Sequence, residues 1–270
     1  MKIIVPMAGR GSRFQAASDQ NPEYKKPKPF ILIKGKPMIE WAMESLPFLN
    51  LPKRAAKTDF KVETKDLVFI SLKNQQEEYK IVDLLKQVFG VNITVILIPE
   101  VTRGAVETAL KAKDYMDTDE DIIISDSDHY FDGTNLYKAI KEKEADVEGI
   151  IPVFPPPDEE VKWSYTLFDK DKTALAVGEK DPVLAAKGAY ANIGGYYFSH
   201  GNLFVKEAEE MIAQNDMYGA IGKQEFYVAP LYQRLIKKGM KIKATIIPQV
   251  WGLGTPKDVE FFEKEKNVSF

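Results

Sequence analysis

The sequence predicts an α/β protein, a single domain with a mostly parallel, twisted central sheet flanked by helices. Two observations carry that prediction. Apolar runs of strand length alternate with stretches of helical period through the first half of the chain. Those runs are continuously hydrophobic rather than alternating, which marks strands buried on both faces of a sheet. A length of 270 residues, 44% of them hydrophobic and 29% charged, suits a globular chain with a sizeable core.

The first strand is "KIIV", at 2–5. A helix follows in "PMIEWAMESL", where Pro37 suits the first turn because no intrahelical N–H is needed there. The lysine-rich "PKRAAKTDFKVETK" reads as a solvated surface excursion. "LVFISL", from Leu67, is the next strand; 75–89 has helical period, "NITVILIP" is a strand, 105–115 a helix, and "DIIIS", ending at Ser125, a strand. The second half opens with the strand "EGIIPVF" and the proline-rich loop "PPPDEE". "SYTLFDKDKTALAVGEK" then reads as a hairpin turning at Lys170 and Asp171. "YANIGGYYF" reads as one strand with internal glycines, which mark a bulge or a close backbone approach. Helices at 203–214 and 226–238 and the strand "KIKATII" complete the pattern, with no repeat and no clear domain boundary.

Composition narrows the function classes. A net charge of −3 gives no global electrostatic reason to expect a nucleic acid or an anionic membrane as partner. Cysteine is absent, which removes disulfides, thiolate metal sites and cysteine nucleophiles. The N-terminal apolar run is too short for an export signal, and no stretch reaches the roughly 18 apolar residues of a membrane span. A cytoplasmic location is therefore expected, and the sequence leaves a homo-oligomer open.

Three short stretches carry candidate chemistry. "PMAGRGSRFQ" follows the first strand, and in open α/β sheets ligands bind beyond the carboxyl ends of the strands. Gly9 and Gly11 let backbone N–H groups approach an anion, Ser12 adds a hydroxyl, and Arg10 and Arg13 supply forked cationic donors suited to phosphate. The loop is neither the dinucleotide fingerprint nor a Walker A loop, and its bland reading is a surface turn with scattered arginines. Lys28, held between Pro27 and Pro29, is a second candidate for the same cleft, or simply a soluble loop residue. "IIISDSDHYFDG" ends a strand with Asp126 and Asp128, oxygen ligands of the kind that suit Mg²⁺. Short aspartate-rich turns are also common as helix caps and Asx-turns. His129, one of two histidines, has no histidine partner at metal spacing and reads as structural or as a neighbour of the ligands, not as a base.

Taken together, "IIVPMAGRGSRF" and "PKPFILIKGKPMIEW" resemble the signature of the sugar-phosphate nucleotidylyltransferases, or pyrophosphorylases, of the glycosyltransferase-A-like, Rossmann-like α/β fold. The resemblance continues through "TRGAVETAL", "ISDSDHYFDG", "AVGEKDP", "ANIGGYYF", "KQEFYVAPLY" and "WGLGTPKDVEFF", and so spans nearly the whole chain. It is closest to the short single-domain members found with capsule and surface-polysaccharide pathways. No hexapeptide repeat occurs, so no appended acyltransferase domain is expected.

The resemblance implies an enzyme that joins a nucleoside triphosphate to a sugar 1-phosphate with Mg²⁺ and releases pyrophosphate. Residues 1–150 would form the nucleotide-binding half and 151–270 the sugar-phosphate half. Gly9, Gly11 and Ser12 would cradle the triphosphate, with Arg13 and Lys28 as the catalytic cations. Met7, Ala8 and Gly104 would line the base and ribose, with Glu100 at the base edge. Asp128, with Asp126 beside it, would hold the metal. Lys180 would hold the sugar phosphate, Glu179 and Asn192 the sugar hydroxyls, and Gly194 and Gly195 would let the strand approach the sugar. One position departs from the family pattern: Gly252 stands where members commonly carry a second metal-binding aspartate. Three other readings follow from the same residues. One is a cytidylyltransferase for choline phosphate or another non-sugar phosphate. A glycosyltransferase using the Asp126-Ser-Asp128 pattern is another, and a non-catalytic nucleotide-binding homologue is the third.

Overall fold

Burial on both faces is what the continuous apolar runs require, and the strands show it residue by residue. In β1 (Lys2–Pro6), Ile3 and Val5 enter one core while Ile4 enters the other, as the two-residue period of a strand dictates. The same division holds in β2 (Leu67–Leu72), where Phe69 faces the first core and Val68 and Ile70 the second. The structure, a computed structural model, describes residues 1–156, 160–220 and 222–265.

Beyond β1 and β2 the main strands are β3 (Thr94–Ile98), β4 (Ile122–Ser125), β5 (His129–Phe131), β6 (Val147–Phe154), β7 (Ser164–Phe168) and β8 (Ala174–Glu179). They continue with β9 (Tyr190–Asn192), β10 (Gly195–Phe198), β11 (Lys241–Ile246) and β12 (Val250–Gly252). Ten strands form one sheet in the order β8-β7-β9-β6-β10-β4-β1-β2-β3, with β11 also paired to β6. Pairing is parallel from β4 through β1 and β2 to β3, and again between β6 and β11. The remaining pairs of this sheet are antiparallel, including the β7–β8 hairpin and the β10–β4 pair that joins the second half to the first. Helices cover the sheet, and the fold is a single α/β domain. No helix among the described residues is long and apolar enough to cross a membrane.

Several elements differ from the expectation for local reasons. The helix expected over 75–89 is two, Lys73–Tyr79 and Ile81–Phe89, broken where Lys80 takes the left-handed conformation. The stretch 105–115 keeps its direction but tightens to a 3₁₀ turn at Leu110–Ala112 between short α-helical pieces. "YANIGGYYF" is two strands rather than one, because the Ile193 N–H turns aside to the Pro152 carbonyl at 3.0 Å. The helix expected from 226 starts at Ala229, since the Phe226 backbone is committed to Arg103 and Val106. The charged excursion is better anchored than its composition suggests. Val62–Glu63 pairs with Leu49–Asn50, Arg54 donates to the carbonyls of Glu44 and Leu46, and the Phe60 ring meets Phe48 and Tyr137. Residues 157–159 of the proline-rich loop and 266–270 lie outside the described residues.

A third, smaller cluster positions the site. Phe14, Tyr24, Ile31, Trp41, Tyr130, Leu253 and Phe262 pack together beside the loop that follows β1. Trp41 meets Tyr130 and Phe262 edge-on at centroid distances of 4.9 and 5.1 Å. This cluster joins chain segments far apart in sequence into one support, with the helix Pro256–Lys264 contributing Val259 and Phe262.

Candidate active site

The site forms where the parallel strands β1 and β4 end side by side. After Pro6 the chain stays aligned with β2 through the Met7 N–H to the Ile70 carbonyl at 2.9 Å, then turns outward. Met7 and Ala8 are buried, whereas Gly9 is exposed and a Cβ there would meet nothing within 4 Å. Gly11 has φ +65°, which favours glycine, and leads into the short helix Ser12–Gln15. Phe14 drops into the aromatic cluster against Tyr24 at 5.1 Å, leaving Ser12 and Arg13 exposed on the other side.

Lys28 starts a 3₁₀ turn whose Pro29 and Phe30 are buried, so its backbone is fixed from both sides. Its β-carbon lies 3.4 Å from where a Cβ on Gly11 would be, so the two loops touch. Its ammonium donates a short hydrogen bond to Asp128 Oδ2. Asp128 is held from behind by the Leu253 N–H to its carbonyl at 2.8 Å. The Asp126 N–H donates to the Gly194 carbonyl at 3.0 Å, and its carboxylate fills the space beside Gly194, where an added Cβ would sit 2.0 Å from Oδ2. His129 opens β5 opposite Gly252 of β12. It is 2% exposed, and neither ring nitrogen has a hydrogen-bond partner among the described residues.

The loop after β1, the Lys28 turn and the end of β4 enclose a cleft of about 380 Å³, whose lining does not include His129. Met7, Gly9, Gly11, Ser12, Arg13 and Lys28 line one side and Asp126 and Asp128 another. The structure also brings Glu225, Tyr227 and Gly254 to the cleft, which the sequence reading did not single out. Glu225 and Tyr227 belong to "KQEFYVAPLY", a stretch with no chemical signature of its own. Only the crossing of that segment over Gly104 places it here. Gly104 has φ +147°, and a Cβ there would lie 2.5 Å from the Phe226 nitrogen.

The residues expected on the acceptor side form an adjoining group. Lys180 donates to the Tyr227 hydroxyl at 3.2 Å and lies 3.4 Å from Glu179, so Tyr227 connects this group to the cleft. The Ser164 hydroxyl donates to Glu179, and Asn192 accepts from Thr166 at 2.7 Å while its own amide nitrogen is buried without a partner. Gly194 makes room for Asp126, and Gly195 faces Phe131 in the interior. Glu100 is exposed and Ala8 buried, and neither lines the cleft.

Charge in the cleft is crowded. Burial, followed by the nearby charges of Asp128 and Glu179, pushes the Asp126 carboxyl up to about 7, with Lys28 opposing. Burial acts on Asp128 in the same direction, but the charge and hydrogen bond of Lys28 outweigh it and hold this carboxyl below its ordinary range. Burial takes the His129 imidazole down to about 4 against the pull of Asp128, so it is neutral with a lone pair to offer. Asp126, Asp128 and His129 each present one ligand atom, all within 4.8 Å of one another. Two carboxylates forced together and only partly balanced by one lysine, with an unsatisfied imidazole beside them, fit a divalent cation.

Residues 4–240 match the family model for nucleotidyl transferases. No curated protein matches the sequence. Among solved structures, the chain is similar to the nucleoside-diphosphate-sugar pyrophosphorylase from Vibrio cholerae RC9, with a TM-score of 0.72 and 22% identity over 97% of this chain and 100% of that one. It is also similar to a protein from Bacillus anthracis assigned as a glucose-1-phosphate thymidylyltransferase, with a TM-score of 0.71 and 16% identity over 100% and 97% of the two chains. The inositol-1-phosphate CTP transferase from T. maritima has a TM-score of 0.67 and 15% identity over 100% and 98%. At these identities the likeness to solved structures is one of fold.

Proposed function

We propose a reaction for this chain, which belongs to the nucleotidyl transferase family: transfer of a nucleotidyl group from a nucleoside triphosphate to a sugar 1-phosphate, giving a nucleotide-activated sugar for surface polysaccharide synthesis. The observation that carries the reading is the convergence of the glycine-arginine loop, Lys28 and the Asp126–Asp128 pair on one cleft at the ends of β1 and β4. In this reaction an oxygen of the acceptor phosphate forms a bond to the α-phosphorus as the bond to the bridging oxygen breaks, and pyrophosphate leaves. No covalent help from the protein is needed, only alignment and offset charge.

The residues divide that work. Gly9 and Gly11 leave the loop backbone open to the triphosphate, with Ser12 beside them. Arg13 and Lys28 offset the charge that gathers on the departing pyrophosphate. Met7, with Ala105 beside Gly104, flanks the nucleoside, while Lys180 holds the acceptor phosphate and Glu179 and Asn192 take its hydroxyl groups. Asp126 and Asp128 would hold a divalent cation, Mg²⁺ in this reading, and when bound it would neutralise phosphate charge. The same requirement for a nucleoside triphosphate supports a cytoplasmic location.

Pyrophosphate release tests the proposal. The purified chain is given Mg²⁺, each common nucleoside triphosphate in turn, and a panel of sugar 1-phosphates together with choline phosphate and inositol 1-phosphate. Release that depends on one triphosphate and one sugar 1-phosphate is the expected result. Release with choline or inositol phosphate alone moves the acceptor class away from sugars. Nucleotide binding without release across the panel overturns the catalytic reading.

A further inference from the structure

His129 is a costly residue for its position. It is 2% exposed, and both ring nitrogens lack a partner among the described residues. Each buried unsatisfied polar group costs about 1–3 kcal/mol. Packing against Phe131, whose ring centre is 5.2 Å away, would be served as well by an apolar side chain. The imidazole therefore stands unexplained unless something bonds it.

Its neighbours identify what that is. One ligand atom each from Asp126, Asp128 and His129 fall within 4.8 Å of one another. Donors about 2.1 Å from a common ion lie about 3.0–3.6 Å apart unless they stand opposite each other, so the three would draw in as an ion binds. The backbone already fixes all three. Asp126 is tied to Gly194, Asp128 to Leu253, and His129 lies in the β5–β12 ladder. Opposite His129 in that ladder stands Gly252, which adds no side chain beside the ring.

We propose that His129 is a third protein ligand of the cation, making this a mixed oxygen and nitrogen centre of Asp126, Asp128 and His129. The inference rests on the metal-dependent reading of the cleft and changes its chemistry. An imidazole donor favours borderline transition metals over Mg²⁺, so Mn²⁺ and Co²⁺ bind in preference to Mg²⁺ by a margin that depends on His129.

Electron spin-echo spectroscopy of the protein with Mn²⁺ and pyrophosphate reads this directly, because pyrophosphate brings no nitrogen of its own. The remote nitrogen of a coordinated imidazole is expected in the wild-type protein and in His200→Gln, where His129 is the one remaining histidine. It is expected to vanish in His129→Gln, with Mn²⁺ affinity falling about tenfold or more and the preference over Mg²⁺ shrinking. If His129→Gln does not fold, the His200→Gln spectrum decides, and a lost imidazole signal there overturns the proposal. Bound Mn²⁺ with no imidazole signal in the wild-type protein also overturns it and leaves the metal-dependent reading standing. Failure of Mn²⁺ to bind, with or without pyrophosphate, sinks both.

Discussion

Each end of the parallel strands carries a hollow, and each hollow has one of the two histidines beside it. At the end where β4 begins, Asp119, Glu148, His200, Asn202 and Lys206 border a space of about 510 Å³, larger than the cleft at the other end. Two of its polar groups are partnered internally, since His200 Nδ1 lies 3.0 Å from the Asp119 carbonyl and Asn202 donates to the Asp119 carboxylate at 2.8 Å, while Glu148 Oε2 is buried without a hydrogen-bond partner among the described residues. In the smaller cleft Asp126 and Asp128 repel, and His129, next in the chain, is buried with neither ring nitrogen hydrogen-bonded among the described residues. The cleft is marked by two carboxylates forced together beside an unsatisfied imidazole, a cost that a bound cation would offset.

The comparison can be broken by substitution, and the largest effect is expected at the charged end. Arg13→Ala should lower turnover on the order of 10²–10³-fold while thermal unfolding barely moves, since the side chain is exposed. Unfolding of this variant would place Arg13 in the scaffold and empty the site of its meaning. One glycine at each end gives the next contrast. Gly201→Ala, at the end where β4 begins, would drive a Cβ to within 1.8 Å of the Met116 carbonyl oxygen. It should cost roughly 1–3 kcal/mol of stability and leave the turnover of the folded fraction unchanged. Gly194→Ala would press instead on Asp126, 2.0 Å from its Oδ2. Its expected signature is about tenfold weaker metal binding, read by titration calorimetry with Mn²⁺.

A pH series sharpens the same contrast. The Asp126 carboxyl titrates near 7 in the fold against 3.8 in an unfolded chain. Between those values the folded protein holds more protons than the unfolded one, so this group makes stability fall as pH rises from about 4 to 7. In metal-free protein the melting temperature of Asp126→Asn should therefore gain on the wild type across that window, and added divalent cation should narrow the gap. A flat difference would mean that burial and the charge of Asp128 do not raise the Asp126 carboxyl. The smallest effect is expected for His200→Gln, within about 0.5 kcal/mol in stability and with unchanged turnover, because its partners lie on an open surface.

How much of this was legible in the sequence varies from residue to residue. The strands β1, β2 and β4 were readable because burial on both faces writes itself as an unbroken apolar run. Gly9, Gly11, Ser12, Arg13, Lys28, Asp126 and Asp128 were readable as a set because glycine, arginine and aspartate at strand ends have few other uses. Glu225 and Tyr227 were not, since nothing in "KQEFYVAPLY" says where it will cross. The break at Ile193 was missed for a similar reason: a strand ends there only because the Pro152 carbonyl is near enough to take its N–H.

The sequence by itself determined the alternation of strands and helices, the family, and the residue types gathered for phosphate and metal, because each depends on local pattern or composition. Tertiary structure alone decided which groups share a cleft. It placed the Lys28 ammonium on Asp128, one hundred positions along the chain, and set Gly252 against His129. It also buried an imidazole beside two carboxylates. Contact, burial and the charge imbalance that follows from them are properties of distance in space, which sequence spacing does not record.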